Sequence, residues 1–91
     1  MAKRILIRRI VFTATAQEDL AFWEKTSPRT LQKINALIES ILEDPRNGIG
    51  KPEKLKHELS GAWSRRINYR DRIVYEVEND TLIILQVRDH Y

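Results

Sequence analysis

The sequence predicts an α+β domain: an opening strand, two helices in the N-terminal half, then a mainly antiparallel run of strands with both helices packed on one face of the sheet. Two patterns carry this expectation. Apolar residues recur at helical spacing as far as Leu42 and in strand-like runs after Glu53, with a loop holding two prolines and two glycines between them. No helix signal separates the later strands, so they are expected to pair antiparallel. Length bounds the rest. A chain of 91 residues is one domain, here 1–91, and buries about 65% of the surface its unfolded form would expose.

Each element has a local reason. Ile5-Leu6-Ile7 and Ile10-Val11-Phe12, flanked by arginines, read as one strand. Thr15 and Glu18 form a capping-box pattern, and Leu20 and Trp23 follow on one face, which predicts a helix from Thr15 to Lys25. Ser27-Pro28 is a second start signal, with Ser as N-cap and Pro at the first helical position. Leu31, Ile34, Leu37, Ile38, Ile41 and Leu42 then form one apolar face, and this helix must stop before Pro45. After the 45–52 loop, Leu55 to Leu59 and Ala62 to Ile67 read as a hairpin around Ser60-Gly61. Arg72 to Val77 is a further strand. Thr81 to Arg88, almost continuously apolar, suits a central strand covered on both faces.

Composition excludes several classes. The chain is 42% hydrophobic and 32% charged, too apolar for a disordered tail and too mixed for a coiled coil. It has no cysteine and two histidines, so neither a disulfide framework nor a structural zinc site has ligands to draw on. No run of 18 apolar residues occurs, so no membrane partner is expected, and a soluble cytoplasmic protein is the default. The net charge of +3 is small, but its distribution is uneven. Residues 1–10 hold four basic groups and no acid, and residues 51–72 hold seven basic groups against three acidic, whereas 73–91 is net acidic. Two basic segments could build one anion-binding face or be two solvated stretches that never meet.

The motifs narrow the chemistry. Gly48-Ile49-Gly50-Lys51 is not a phosphate loop: the glycine spacing is wrong, and Pro52 stands where a hydroxyl should bind magnesium. No serine sits in a nucleophile elbow, and no Asp-x-Asp pair offers a divalent metal site. What remains is Glu53 among Lys51, Lys54 and Lys56, then Arg65-Arg66, Arg70 and Arg72, and finally His90 and Tyr91. Each has an ordinary reading as well: a loop carboxylate offsetting its lysines, an edge strand kept polar, a chain end that frays. Strand alternation puts Arg65 and Arg66 on opposite faces, so at most one serves a given site. One carboxylate, one imidazole and several arginines nonetheless suffice for metal-free RNA cleavage. RNA brings its own 2′-hydroxyl nucleophile, and the protein adds a base, an acid and cations for the developing phosphate charge.

The block from Gly50 to His57, the block from Leu59 to Ile67, the strand Arg72-Ile73-Val74-Tyr75 and the ending His90-Tyr91 together resemble the YoeB/Txe family of bacterial toxins. The family pattern is Gly-Lys-Pro-Glu-x-Leu-Lys-His, Leu-Ser-Gly-x-Trp-Ser-Arg-Arg-Ile, Arg-(Ile/Leu)-Val-Tyr and His-Tyr. All four stand here in order and at family spacing, and the likeness runs from Phe12 to Tyr91. The resemblance implies a fold like RelE and the small microbial ribonucleases, helices on a twisted antiparallel sheet. It implies a ribosome-dependent endoribonuclease that cuts mRNA in the A site and needs no cofactor. It also implies a co-encoded YefM/Axe-like antitoxin as partner, and a toxin able to form homodimers. By position, Glu53 matches the general base, His90 the general acid, Arg72 the residue that stabilises the phosphate, and Tyr91 a tyrosine that shapes the site. Lys51, Lys54, Lys56, Arg65, Arg66 and Arg88 are the basic residues expected to contact RNA or the ribosome.

Two features depart from that pattern. The basic run Lys3 to Arg9 lengthens the N-terminus and could be a longer edge strand, an added RNA contact or a misassigned start. Asp89 stands where an aromatic residue can occur, and could either keep His90 protonated or weaken a stacking contact with a base. Competing functions are a non-cleaving inhibitor that occupies the ribosomal A site by basic contacts alone, and an interaction module that does not act on RNA. Phosphate binding alone needs no carboxylate, so Glu53 together with Arg72 and His90 favours catalysis.

Overall fold

A computed structural model describes residues 6–89. His90, Tyr91 and the first five residues, including Lys3 and Arg4 of the basic run, lie outside the described residues. The chain order is β1 (Arg9–Phe12), α1 (Ala14–Thr26), α2 (Pro28–Glu43), β2 (Glu53–Lys54), a 3-10 turn (His57–Leu59), β3 (Trp63–Arg66), β4 (Arg72–Glu78) and β5 (Thr81–Gln86). The five strands form one sheet in the order β1-β5-β4-β3-β2. From β2 to β5 every pairing is antiparallel, and β1 closes the other edge parallel to β5. The expected α+β architecture is therefore present, and β5 is interior to the sheet.

The helices form where their caps and apolar faces allow. Ser27 caps α2 by accepting the Thr30 N–H, Pro28 fills the first turn, and the helix stops at Glu43, two residues before Pro45. Ile34, Leu37, Ile38 and Ile41 are its buried residues, one turn apart along a single stripe. They meet Ile73, Tyr75, Leu82, Ile84 and Val87 from the sheet, with Ala16 of α1 filling the gap. Each fully buried Leu or Ile here contributes about 1.5–3 kcal/mol relative to exposure.

Four expectations are corrected. The opening strand is Arg9–Phe12 alone: Leu6, Ile7 and Arg8 stand outside it, and the Arg8 and Arg9 N–H groups both go to the Asp80 carbonyl at the turn before β5. The cap of α1 is Thr13, not Thr15: its hydroxyl oxygen accepts the Ala16 N–H at 3.1 Å while donating to the Leu85 carbonyl at 2.8 Å. That second bond anchors the helix start to β5, which a capping box at Thr15 would not do. The hairpin strand expected over Leu55 to Leu59 is only Glu53–Lys54, because His57 takes a left-handed φ of 58° and the chain coils into the 3-10 turn. Leu55 and Leu59 instead join Ala62, Val74 and Leu85 in a small second cluster. Finally, β5 ends at Gln86 rather than Arg88. The β4/β5 register slips between Val74 and Tyr75, leaving Leu85 as the extra residue of a bulge, and the chain bends away just beyond it.

Candidate active site

Residues directly opposite one another in an antiparallel pair project to the same face. Glu53 pairs with Ser64, Ser64 with Val74, and Arg66 with Arg72. Their strand neighbours Arg65, Ile73 and Tyr75 point under the helices, so alternation puts Glu53, Arg66 and Arg72 together on the opposite, helix-free face. Strand spacing and a two-residue offset place the Cα atoms of Glu53 and Arg72 about 12 Å apart. Glu53 and Arg66 are exposed and Arg72 is half-buried. The small cluster around Val74 floors part of this face.

The loop before β2 is tied to the same sheet. The Gly50 carbonyl accepts the Arg66 N–H at 2.6 Å. Gly50 itself has φ +84°, and a Cβ there would stand 2.7 Å from a Leu37 methyl and 3.2 Å from the Arg66 carbonyl. Glycine is thus required for the loop to lie this close, and that approach delivers Glu53 to the edge of β3.

The terminal segment is held just as closely. The Val87 N–H donates to Asp19 Oδ2 at 3.1 Å and the Val87 carbonyl accepts the Trp23 indole N–H at 2.8 Å. The Arg88 guanidinium lies 3.5 Å from the centre of the Phe22 ring. The Asp89 carbonyl accepts the Arg72 N–H at 2.9 Å, so the peptide that leads into His90 begins beside Arg72. Burial pushes the Asp19 carboxyl above its ordinary range, with partial relief from the Val87 N–H and from Arg88.

The basic candidates separate into groups. Arg66 shares the face of Glu53 and Arg72. Lys54 is exposed but pairs with Trp63, which packs against the main core, so Lys54 projects from the opposite side of the edge. Lys51 and Lys56 are exposed on the loops flanking β2. Arg88 sits on the α1 side, stacked on Phe22. Arg65 is a correction: it is fully buried and unavailable to RNA. Its Nε donates to the Tyr75 hydroxyl at 3.1 Å. Its Nη1 serves Ser40 Oγ at 2.7 Å and the Ile49 carbonyl at 3.1 Å, and its Nη2 serves the carbonyls of Asp44 at 2.6 Å and Asn47 at 3.0 Å. All five donors are used, and α2, which has no basic residue in its last turn, receives its C-terminal cation from β3. Burial raises the Tyr75 hydroxyl above its ordinary value against the opposing effect of Arg65, while the Arg46 and Asn47 N–H groups hold the Asp44 carboxyl down.

Sequence reasoning missed Asp19, Phe22, Trp23 and Asp71, the residues that grip the terminal segment. Only Asp71 left a trace, since Asn68-Tyr-Arg-Asp71 has the composition of an Asx turn. Among the described residues, no group of three or more His, Asp or Glu side chains is placed to hold a metal ion. No described helix is long and apolar enough to cross a membrane.

Comparison with known proteins points one way. Residues 12–91 match the model of the YoeB-like toxin of bacterial type II toxin–antitoxin systems. Toxin YoeB of Streptomyces coelicolor is 47% identical over 83 residues, covering 91% of this chain and 99% of the relative. The solved YoeB/ParE toxin from Agrobacterium tumefaciens superposes with a TM-score of 0.90 at 41% identity, covering 92% of this chain and 100% of that one. YoeB in a heterotetrameric YoeB–YefM toxin–antitoxin complex from Staphylococcus aureus gives 0.84 at 40% identity, covering 93% and 98%. A YoeB dimer from the same organism gives the same score and identity, covering 91% and 97%.

Proposed function

The chain belongs to the YoeB-like toxins of bacterial type II toxin–antitoxin systems, and from that premise we propose that it is a ribosome-dependent endoribonuclease that cuts mRNA and so arrests translation. The observation that carries the reading is the shared helix-free face of Glu53, Arg66 and Arg72, with the Arg72 N–H bonded to the carbonyl that precedes His90. A carboxylate facing two cations, with His90 next in sequence after the Asp89 carbonyl that the Arg72 N–H holds, supports a phosphodiester transfer.

The roles follow from the chemistry. Glu53 takes the proton of the 2′-hydroxyl as its oxygen bonds to phosphorus. The bond from phosphorus to the 5′-oxygen breaks, and His90 donates a proton to that leaving oxygen. Arg72, with Arg66 behind it, offsets the extra negative charge on the phosphoryl oxygens as the transition state forms. Tyr91 shapes the site, and Lys51, Lys54, Lys56 and Arg88 contact RNA or ribosome around it. The products are a 2′,3′-cyclic phosphate and a 5′-hydroxyl, and no metal or cofactor enters the balance. The ribosome supplies the alignment of message against these groups, which accounts for its requirement. A YefM/Axe-like antitoxin binds the toxin and silences it, and the toxin associates with a second copy of itself; the YoeB–YefM complex and the YoeB dimer of Staphylococcus aureus support the two associations.

The test is to incubate the chain with ribosomes and message and map the RNA ends. Cyclic or 3′-phosphate ends in the A-site codon are expected. Glu53→Gln and His90→Gln should each abolish cutting while ribosome binding persists. Stalled ribosomes on intact message would refute the nuclease and leave an A-site blocker; equal cutting of naked mRNA would refute the role given to the ribosome.

A further inference from the structure

We propose that Asp71 is a positioning residue for the terminal acid, acting by binding the amide of Asp89, the residue before His90. The inference rests on the nuclease reading, and specifically on His90 as the acid. The geometry is local and complete. Asp71 is buried, 7% exposed. Its Oδ1 accepts the Asp89 N–H at 2.7 Å and its Oδ2 accepts the Asn68 side-chain amide at 3.0 Å. The next residue, Arg72, donates its own N–H to the Asp89 carbonyl at 2.9 Å. Two consecutive residues therefore hold both backbone polar groups of Asp89.

One of those two residues is the arginine assigned to the phosphate. The cation and the carbonyl leading to the acid are thus fixed to one another through a single short stretch of backbone. Asp89 needs such holding. Its φ is +62°, the left-handed region, which an aspartate tolerates better than most residues but which a free chain end seldom keeps. Upstream, Asp19 and Trp23 already fix Val87. The Asp71 grip sets the final turn.

The rest of Asp71 serves the turn in which it sits. Its N–H donates to Asn68 Oδ1 at 2.7 Å, and its carbonyl accepts the Ile67 and Asn68 N–H groups at 2.9 and 3.3 Å. Those bonds need no carboxylate on residue 71. The bond to Asp89 needs a side-chain oxygen at residue 71, and it crosses to a segment 18 positions away in the chain. The exposed Arg70–Asp89 ion pair, 3.5 Å apart, adds little to this.

The experiment measures single-turnover cleavage on programmed ribosomes, ribosome affinity, and hydrogen exchange at the Asp89 amide. Asp71→Ala should slow cleavage about tenfold to a hundredfold, the scale of a reacting group displaced by about 1 Å, with affinity unchanged within about threefold. Exchange at Asp89 should accelerate. Asp71→Asn keeps one acceptor for the Asp89 N–H but sets an NH2 against the Asn68 amide, so it is made in the Asn68→Ala background, where it should restore the rate, a rescue that a charge role would not give. Asn68→Ala, which loosens the turn but leaves the Asp89 bond, should cut at nearly the parent rate. If Asp71→Ala does not fold, a chain with an ester in place of the Arg88–Asp89 amide removes that one donor and should reproduce the slow cleavage. Full cleavage with an unprotected Asp89 amide, or an Asn variant as slow as Ala, overturns the proposal. Absence of cleavage by the parent chain overturns the nuclease reading instead.

Discussion

Replacing Arg65 by Met and, separately, Arg66 by Ala should split stability from activity at two adjacent positions. Methionine fills much of the arginine volume but donates nothing. The carbonyls of Asp44, Asn47 and Ile49 would each lose the Arg65 donor, while Ser40 Oγ keeps the Ile49 N–H and Tyr75 keeps its 2.6 Å bond to the Pro45 carbonyl. Three carbonyls left without this donor at about 1 kcal/mol each give about 3 kcal/mol. For a domain of this size that lowers the melting temperature by about 12–24 °C. Arg65→Lys offers three donors from one point in place of five in a planar fork and should fall between the two. Arg66→Ala, at an exposed position, should change stability by no more than about 0.5 kcal/mol yet slow cleavage of ribosome-bound message. Urea unfolding followed by tryptophan fluorescence reads the first effect and end-mapping reads the second. An Arg65→Met protein within about 1 kcal/mol of the parent would show that the guanidinium does not organise the end of α2.

Three further outcomes follow from the geometry. Gly50→Ala drives a Cβ against Leu37 and the Arg66 carbonyl at a positive φ and should cost about 1–3 kcal/mol in thermal unfolding. Tyr75→Phe should flatten the alkaline limb of stability. The hydroxyl's folded pKa lies above its ordinary value of 10.0, so its contribution is whole below pH 10 and is lost as pH rises from there through the folded value. Denaturation midpoints from about pH 8 to about pH 11 should therefore drop less in the Phe variant. Thr13→Ala should cost about 1–2 kcal/mol through the lost cap and the lost bond to Leu85, whereas Thr15→Ala should stay within about 0.5 kcal/mol, as chemical denaturation would show.

The parts of the fold that were legible depend on local chemistry. Ser27-Pro28 starts a helix wherever it occurs ahead of a good apolar stripe, and Pro45 ends one. The cap of the first helix lies two residues before the one its local pattern predicts, because two threonines compete for it. Thr13 wins through a bond to Leu85, 72 positions away, which no local pattern carries. The strand over Leu55 to Leu59 was misread for a related reason: its apolar residues do face a cluster, but they reach it from a 3-10 turn begun by a left-handed His57. For the site, alternation sufficed to say that Arg65 and Arg66 face opposite ways. It did not say which way. That depends on Tyr75 and the end of α2 lying behind β3, a tertiary fact.

This has a consequence for reading charge along a chain. Residues 51–72 hold seven basic groups against three acidic, a concentration that suits an anion-binding face or a solvated stretch equally. Yet one of those cations is spent on helix-end carbonyls, and Lys54 leaves the edge strand on the side away from Glu53. The field at the site is therefore set by fewer groups than the sequence counts, chiefly Arg66 and Arg72 on adjacent strands facing one carboxylate. On the proposed reading, a surface built this way should attract the backbone of a message moderately and orient it closely. On that reading it should bind RNA alone less tightly than the bare charge would imply, and should rely on an already ordered substrate to bring the phosphate between Glu53 and Arg72. On that argument, raising salt should weaken docking of the toxin on ribosomes more steeply than it slows the cleavage step itself. A single-turnover rate at saturating toxin that falls as fast with salt as affinity does would mean the lysines act in the transition state after all.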